Sequence, residues 1–564
     1  MPKLDPARRL ESTAWPRRIR LAALCSLLAL AALPGMPVTP AGAAAPATAA
    51  DQKPGQAPDL GGTIVIGAIG DATSMIPMLT SDSASHEMGG YCYNGLIKYD
   101  ANLNLIGDLA ESWQVSEDGL TITFRLRQGV KFHDGAPYTA RDALFNWRFM
   151  TDPNTPTPYS GDYLKVKAAE APDERTFRVT YSEPFAPGLA SWTLAQMPAH
   201  LLEGKDPRTS PLNRRPVGTG PYTLSDWQTG AKVELKAFPG YWEGRAYLDN
   251  VVYRIIPDMA TLFLELRSGG VDWSSLTALQ YRRQTENDFF RTNFRKYRYT
   301  ASAYTYIGWN LQDPRFQDLR VRRALSYAIN KKEIIEGVLL GLGQVASGPY
   351  KPGTTWYDPD VQRYPYDPAR ALELFAQAGW QRDADGILRK DDKPFEFVLL
   401  TNQGNAYRKN AAVIIQRRLM ELGVKMELRI IEWAAFIREF INKGRFDAVL
   451  LAWTIPQDPD LYDIFSSHNI GPGKLNFNYY RNPELDKLLI EGRRTFDVAR
   501  RKAIYDQVQR ILAEDAPYTF LYVSDALPIV HSRFQGIKAA PAGISYNFIR
   551  WWVPKALQRP AMAP

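Results

Sequence analysis

Between residues 121 and 150 the sequence changes from the periodicity of a strand to that of a helix. Apolar and polar residues alternate in TITFRL (Thr121–Leu126), which predicts a half-buried strand. Asp134-Gly135 is a turn dipeptide, and helical spacing begins after Thr139. A chain that places strands and helices in such close succession is expected to fold as a mixed α/β protein.

The segment KFHDGAPYTARD (Lys131–Asp142) carries polar side chains that would also suit a catalytic or metal site. Each of them has a structural explanation. Asp134 shapes the turn, and Asp142 follows Thr139 by three residues, which is the spacing of a helix capping box. His133 is expected to pack at the end of the strand. We therefore predict that this segment folds and does not catalyse.

The N-terminus has the pattern of a secretory signal peptide. A basic region with five arginines precedes the apolar run Leu21–Leu33, whose 13 residues are too few to span a bilayer comfortably. Small residues follow, with cleavage-site patterns that end at Ala43 or Ala50. We predict a signal peptide over residues 1–43 and a disordered, Ala/Pro/Gln-rich linker over residues 44–60. An uncleaved membrane anchor is the alternative.

The remaining chain has the composition of a large globular protein. Its 564 residues exceed what one hydrophobic core supports, so several domains are expected. Residues 1–43 carry six basic and two acidic side chains, so their removal halves the net charge of +8. The basic residues that remain are not clustered, so we expect no nucleic-acid partner. Cys92 is then the single cysteine, which excludes an intramolecular disulfide. No further apolar run predicts a membrane-spanning helix.

Motifs for catalysis and metal binding are missing from the sequence. None of the five histidines pairs with another at a ligand spacing, and the chain lacks H-E-x-x-H, C-x-x-C, G-x-S-x-G and P-loop patterns. We therefore expect no metal, no cofactor, no catalytic residue and no enzymatic activity. An exported hydrolase is kept as a less favoured alternative.

Six segments resemble, in order, the family 5 extracellular solute-binding proteins, which are the peptide- and nickel-type receptors of ABC importers. The similarity covers roughly residues 61–550. The segments are GVKFHDGAPYTARDALFNW (Gly129–Trp147), VGTGPYTL (Val217–Leu224), FPGYWEG (Phe238–Gly244), DLRVRRALSYAINKKEII (Asp318–Ile335), YDPARALELFAQAGW (Tyr366–Trp380) and FDAVLLAWTIPQDPD (Phe446–Asp460).

The resemblance implies an α/β fold, a two-lobed periplasmic-binding-protein clamp with an extra strand-rich domain, three domains in all. Lobe I is then expected to comprise residues 61–108, 216–308 and 527–557. Domain II is expected over residues 109–215, and lobe III over residues 309–526.

The resemblance also implies a function. The chain is expected to be a periplasmic, monomeric substrate-binding protein of an ABC importer. It would capture a peptide or peptide-like solute between its lobes and deliver it to the permease of the inner membrane. A receptor for an oligosaccharide or a nickel complex is the alternative, the latter with His468 as its one supporting histidine.

Ligand contacts are expected among aromatic and amide side chains. By the resemblance, Trp453 lies in the cleft-lining loop after a strand, and Trp433 matches a second tryptophan on the ligand side; core packing is the alternative for both. Further candidates are Tyr306, Tyr91, Asn402 and Gln403, the two amides being suited also to a sugar.

The sequence departs from the family pattern at the positions that bind peptide termini. Pro456 stands where peptide receptors carry the aspartate for the α-ammonium, and Leu450 stands where oligopeptide members carry an arginine. Proline has no side-chain acceptor. Asp458 or Asp460 is the candidate replacement, and an acidic turn or helix start is the alternative role for both.

Overall fold

A computed structural model describes residues 58–559 of the chain. The predicted signal peptide (residues 1–43) and residues 44–57 of the predicted linker lie outside the described residues.

The strands of this part of the chain group into three larger and two smaller sheets. In chain order they are β1 (Thr63–Ala68), β2 (Ile97–Tyr99), β3 (Leu105–Gly107), β4 (Ala110–Val115), β5 (Thr121–Leu126), β6 (Val166–Asp173), β7 (Thr176–Tyr181), β8 (Tyr222–Gln228), β9 (Lys232–Ala237), β10 (Asn250–Ile255), β11 (Trp273–Ser275), β12 (Phe294–Lys296), β13 (Tyr299–Thr300), β14 (Ala303–Trp309), β15 (Gly343–Val345), β16 (Gln381–Arg382), β17 (Leu388–Lys390), β18 (Lys393–Pro394), β19 (Glu396–Asn402), β20 (Lys425–Ile431), β21 (Ala448–Thr454), β22 (Tyr518–Ala526) and β23 (Pro528–His531).

The α-helices connect and cover these sheets. They are α1 (Ser83–Gly89), α2 (Ala140–Thr151), α3 (Ser160–Tyr163), α4 (Ala199–Leu202), α5 (Met259–Ser268), α6 (Asp288–Asn293), α7 (Pro314–Gln317), α8 (Leu319–Ala328), α9 (Lys331–Gly337), α10 (Pro368–Gln377), α11 (Ala406–Glu421), α12 (Trp433–Ala435), α13 (Tyr462–Phe465), α14 (Pro483–Arg494) and α15 (Val498–Asp515). Two π-helical turns, Gln280–Gln284 and Phe436–Ile441, and several short 3-10 segments complete the described part.

The first large sheet has the order β12-β23-β11-β1-β10-β9-β8. β1 is parallel to its neighbours β10 and β11, and the other pairs are antiparallel. β10, α5 and β11 follow one another in the chain as strand, helix and strand. The parallel pairing arises because α5 returns the chain to the same end of the sheet.

The second large sheet has the order β13-β22-β14-β21-β19-β20, with β15 also paired to β22. β19 is parallel to both β20 and β21, whereas β14 is antiparallel to β21 and β22. Side chains of β21 alternate between two hydrophobic cores, which lie on opposite faces of the second sheet. Leu450 belongs to the core on one face, and Val449 belongs to the core on the other. The two large sheets with their separate cores form the two lobes of the clamp.

The third large sheet is antiparallel, with the order β4-β5-β7-β6, and α2 packs against it. Its core is joined to that of the first sheet, and it centres on Trp192, whose ring meets those of Phe124 and Phe177 at 5.8 and 5.1 Å. This sheet lies within residues 109–215.

The segment Lys131–Asp142 has the structural role predicted for it. Gly135 adopts a left-handed φ of 90° in the turn, and the backbone N–H of Thr139 donates to Asp142 Oδ2 at 2.9 Å in the capping box of α2. The ring of His133 packs on Phe238 at 5.1 Å, and burial lowers the pKa of its imidazole.

The limits of the three domains stay a prediction, but sheet membership bears on one of them. β14 falls in the range predicted for lobe I, and it is hydrogen-bonded between β21 and β22 of the second sheet. This strand is apolar on both faces, so its sequence did not indicate which sheet it joins. We propose that the chain leaves lobe I between β12 and β13 and returns to it between β22 and β23.

Within residues 58–559, none of the helices combines the length and apolar character that crossing a bilayer requires. In the same part of the chain, no three His, Cys, Asp or Glu side chains are placed to hold a metal ion together.

Candidate functional site

A cavity of about 400 Å³ lies between the two lobes. Four strands end at it, β1 and β11 from the first sheet and β19 and β22 from the second. In open α/β sheets, ligands bind in the crevice outside the carboxyl ends of the strands. The cavity is therefore where the fold of each lobe would place a ligand. Its walls include Ile66–Gly70, Ser83, Ala84, Glu87, Met88, Met259, Leu262, Trp273–Leu276, Ala301, Asn402, Asn405, Tyr407, Arg408, Trp433 and Ser524–Leu527.

The first-lobe wall presents one carboxylate, that of Glu87 on α1. The side chain is accessible to water, but desolvation by the surrounding protein raises the pKa of its carboxyl. Tyr253 Oη donates a hydrogen bond to Glu87 Oε1 at 3.2 Å. No cation among the described residues lies within ion-pair distance of this carboxylate.

The second-lobe wall presents one guanidinium, that of Arg408 in the first turn of α11. Arg408 Nη1 donates to Asn402 Oδ1 at 2.7 Å, and Asn405 caps the helix by accepting from the backbone N–H of Arg408. Desolvation lowers the pKa of Arg408, and no described carboxylate lies within ion-pair distance of it. The amino end of α11 adds a partial positive charge at the same place.

Asp525 of β22 also lines the cavity, but it is paired with Arg298 at 2.6 Å. The unpaired charges of the cavity are therefore opposite in sign and lie on opposite lobes, and neither has an ion-pair partner within the described part of the chain. Arg408 is half-buried, and burying an unpaired charge is costly, whereas Glu87 is open to the cavity and keeps contact with water. A ligand with an ammonium group at one end and a carboxylate at the other would supply both missing partners. Among the described residues that line this cavity there are serines but neither histidine nor cysteine, so it holds no nucleophile–base pair of the usual kinds.

Trp433 closes the gap between the lobes at one edge of the cavity. It begins α12 directly after β20, and its Nε1 donates to Asp82 Oδ1 of the first lobe at 3.4 Å. A Cβ at Gly70 would lie 3.0 Å from Cγ of Trp433, which is tighter than most side-chain contacts, so this approach favours glycine. Of the residues predicted to contact ligand, Trp433 and Asn402 line the cavity.

Trp453 and Tyr306 lie instead in an aromatic row on one face of the second sheet. The ring of Trp453 stacks on Tyr306 at 6.4 Å and contacts Phe477 at 5.7 Å, and its Nε1 donates to Tyr518 Oη at 3.3 Å. Tyr306 is fully buried and stacks on Tyr518 at 4.1 Å. Trp453 is half-buried, and its role in binding stays a prediction.

Asp458 and Asp460 are engaged in ion pairs within the second lobe and are not free. Asp458 binds Arg501 through both oxygens, each at 2.7 Å. Asp460 Oδ2 lies 2.8 Å from Nε of Arg493. Neither aspartate lines the cavity between the lobes.

The two other predicted residues lie apart from this cavity. Tyr91 packs on Tyr222 and Phe548 of the first lobe, at 5.9 and 5.0 Å, and lines a separate surface cavity. Gln403 follows Asn402 but is exposed, and its backbone N–H donates to the carbonyl of Ile431.

Glu87 and Arg408 were missed by the sequence reasoning. Glu87 follows His86 on α1, and Arg408 precedes Lys409 on α11. Polar residues that are adjacent on a helix are usually solvated. The signal that was available is the position of Arg408, three residues after the capping Asn405 that follows a buried strand. No comparable signal marks Glu87.

Comparison with known proteins identifies relatives over most of the chain. Residues 104–472 match the family described as bacterial extracellular solute-binding proteins, family 5 Middle. The oligopeptide-binding protein AppA of Bacillus subtilis (strain 168) is 34% identical over 508 residues, which cover 88% of this chain and 93% of that protein.

Solved structures extend the similarity to the fold. The structure of AppA from Bacillus subtilis in complex with a nonapeptide has a TM-score of 0.84 at 33% identity, covering 88% of this chain and 100% of that chain. The periplasmic binding protein DppA from Helicobacter pylori, in complex with the peptide STSA, has a TM-score of 0.80 at 28% identity, covering 88% and 99%.

Proposed function

Because the chain belongs to the bacterial extracellular solute-binding proteins of family 5, we propose that it is a periplasmic receptor that captures a short peptide between its two lobes and delivers it to an inner-membrane ABC permease. The signal peptide at residues 1–43 would direct its export and be removed. The mature chain acts as a monomer and makes no covalent change to its ligand.

The unpaired charges of the cavity carry this proposal. A peptide in its zwitterionic form has an α-ammonium for Glu87 and an α-carboxylate for Arg408. A charge-assisted hydrogen bond to each terminus would orient the ligand, and Arg408 is suited to bind a carboxylate with two parallel bonds. Glu87 would thus bind the α-ammonium, which the side chain of Pro456 cannot do. The volume of about 400 Å³ lies in the lower range of small-molecule sites and favours a short peptide.

Ligand capture is coupled to closure of the lobes. The two charges belong to different lobes, so a peptide that binds both favours the arrangement in which the lobes are close. Trp433 contacts the first lobe at Gly70 and Asp82 in the same arrangement. The closed form would then be the one presented to the permease.

The alternative ligands explain fewer of the observations. An oligosaccharide would use Trp433 and the amides Asn402 and Asn405, but it leaves Glu87 and Arg408 without partners. A nickel complex would need a histidine at the cavity, and His468 lies elsewhere, stacked on Tyr462 at 6.5 Å. Native mass spectrometry would detect either of these ligands.

Native mass spectrometry of the gently purified mature protein tests the ligand class. We expect a co-purified mass that denaturation releases and that fragments into a ladder of amino-acid residue spacings. Hexose spacings or the isotope pattern of nickel in the released mass would contradict the peptide proposal. The same spectra report whether the chain is a monomer.

A further inference from the structure

A second cavity, of about 760 Å³, lies entirely within the lobe of the second sheet. Its walls are the end of α8, the start of α9, the loop over residues 357–366 and the first residues of β22. It shares no lining residue with the cavity between the lobes. Its volume is within the range of sites for small organic molecules.

The cavity contains a buried lysine without a partner. Only 8% of Lys331 is exposed, and no other described residue lies within hydrogen-bond or ion-pair distance of its ammonium. The nearest aromatic ring under the ammonium, that of Tyr364, has its centre 5.8 Å away. Desolvation lowers the pKa of Lys331 to about 8. Lysine is rarely buried unless it is paired.

The acidic residues beside this cavity are not available to Lys331. Glu333 on the same helix receives hydrogen bonds from both Arg417 and Arg418. Glu336 is exposed at the edge of the cavity. The ammonium therefore faces a partly open cavity whose described lining residues supply no counter-charge for it.

The rest of the lining suits an organic anion. The hydroxyls of Ser347 and Tyr357 lie 3.2 Å apart and offer donors for a second ligand oxygen. The rings of Tyr364 and Tyr366, with Phe520 on the facing strand, provide apolar surface. Of the other cations of the lining, Arg418 is paired with Glu333 and Glu421, and Lys332 and Arg363 are exposed at the rim. Lys331 is thus the one buried cation of this lining that has no counter-charge among the described residues, and it balances a single negative charge, which favours a monoanion over a phosphate dianion.

We propose that this cavity is a second binding site, which takes a small monocarboxylate with an aromatic or apolar body and holds the carboxylate through Lys331. The carboxylate forms a charge-assisted hydrogen bond with the ammonium, and the body of the ligand packs on the tyrosine rings. The site is independent of peptide capture between the lobes and does not rest on the proposed function.

Isothermal titration of the mature protein with N-acetyl-phenylalanine tests the site. Its neutral analogue N-acetyl-phenylalanine amide is the ligand control, and neither compound has the free ammonium that Glu87 would bind. We expect the acid to bind and the amide not to bind. Lys331→Met should weaken binding of the acid by about thirtyfold or more, the loss expected when one partner of a buried charge pair is removed.

Two further variants test which cavity and which lysine bind the acid. Lys332→Met changes the exposed lysine at the rim of the same cavity and should leave binding unchanged, because that ammonium stays solvated. Arg408→Met removes the cation that would bind a carboxylate in the other cavity, and the binding that depends on Lys331 should persist in this variant. Binding of the acid by wild type should weaken as the pH rises through about 8, because the ammonium loses its charge there. This pH dependence tests the site even if Lys331→Met fails to fold.

Three results would overturn the proposal. They are equal binding of the acid and its amide, unchanged binding in Lys331→Met, and loss of binding in Arg408→Met alone. Failure of wild type to bind the acid would overturn it as well. None of these results bears on the peptides found by native mass spectrometry.

Discussion

Replacing Arg408 with methionine is expected to weaken peptide binding by about 2–5 kcal/mol, which corresponds to a loss of affinity of about thirtyfold or more. The guanidinium is the cation that the second lobe presents to the cavity, and its one hydrogen bond to a side chain is that to Asn402. Methionine keeps the length and apolar packing of the side chain but cannot bind a carboxylate. The measurement is calorimetric titration with a peptide released from the purified protein.

Lys409→Met is the matched control, since Lys409 is the next residue on α11 and is exposed. It should leave the affinity unchanged. Thermal unfolding of both variants checks that the fold is retained. Equal affinities of Arg408→Met and wild type would show that the carboxylate of the peptide is bound elsewhere.

Replacing Arg493 with alanine is expected to lower the free energy of unfolding by about 3–5 kcal/mol. Only 2% of the Arg493 side chain is exposed, and it pairs with Asp460 and with Asp162 of α3, while Asp463 lies close by. Its removal leaves three carboxylates close together, with Lys474 near Asp463 as the remaining cation. The arginine joins α3, which lies between the strands of the third sheet in sequence, to the lobe of the second sheet.

The pH dependence of the Arg493→Ala effect has a definite sign. Burial raises the pKa of the Asp162 and Asp463 carboxyls even with the arginine present. These carboxyls are therefore protonated at low pH, and the variant should lose less stability at pH 5 than at pH 8. Denaturant unfolding at both pH values measures this difference.

Arg494→Ala is the control for this prediction. Arg494 is adjacent in sequence, but 52% of its side chain is exposed and its partner is Glu183 on the surface. Its removal should cost less than about 1 kcal/mol. If both variants lost the same small amount of stability, the buried cluster would have no special role in holding these elements together.

Periodicity in the sequence was sufficient to predict many of the elements. The alternation of Thr121–Leu126 predicted β5, and the spacing between Thr139 and Asp142 predicted the start of α2. These features depend on neighbours within a few residues, which a sequence displays directly. The sheet to which β14 belongs depends on partners more than 130 residues away, and its two apolar faces were compatible with either lobe.

The candidate site could be predicted only in part for a related reason. Trp433 and Asn402 follow the ends of strands, where ligands of α/β proteins are expected, and both line the cavity. Asp458 was a candidate for the same site, but its partner Arg501 lies 43 residues further along the chain and occupies both of its oxygens. An ion pair of that separation has no local sequence signal.

Glu87 and Arg408 show the opposite of Asp458, because they line the cavity although the sequence did not indicate them as site residues. In sequence, each is one charged residue on a helix, and an exposed, solvated position is the ordinary expectation. Their importance comes from their lack of ion-pair partners among the described residues and from the fold that brings two segments more than 300 residues apart to one cavity. Neither property is visible before the fold is known.

Titration with one peptide in three forms tests the central claim most directly. The forms are the free peptide, its N-acetylated derivative and its C-terminal amide. We predict that each modification weakens binding by about tenfold or more, that the acetylated form no longer responds to Glu87→Gln, and that the amide no longer responds to Arg408→Met. Equal binding of all three forms would contradict the claim that the two charges of the cavity hold the two ends of a peptide.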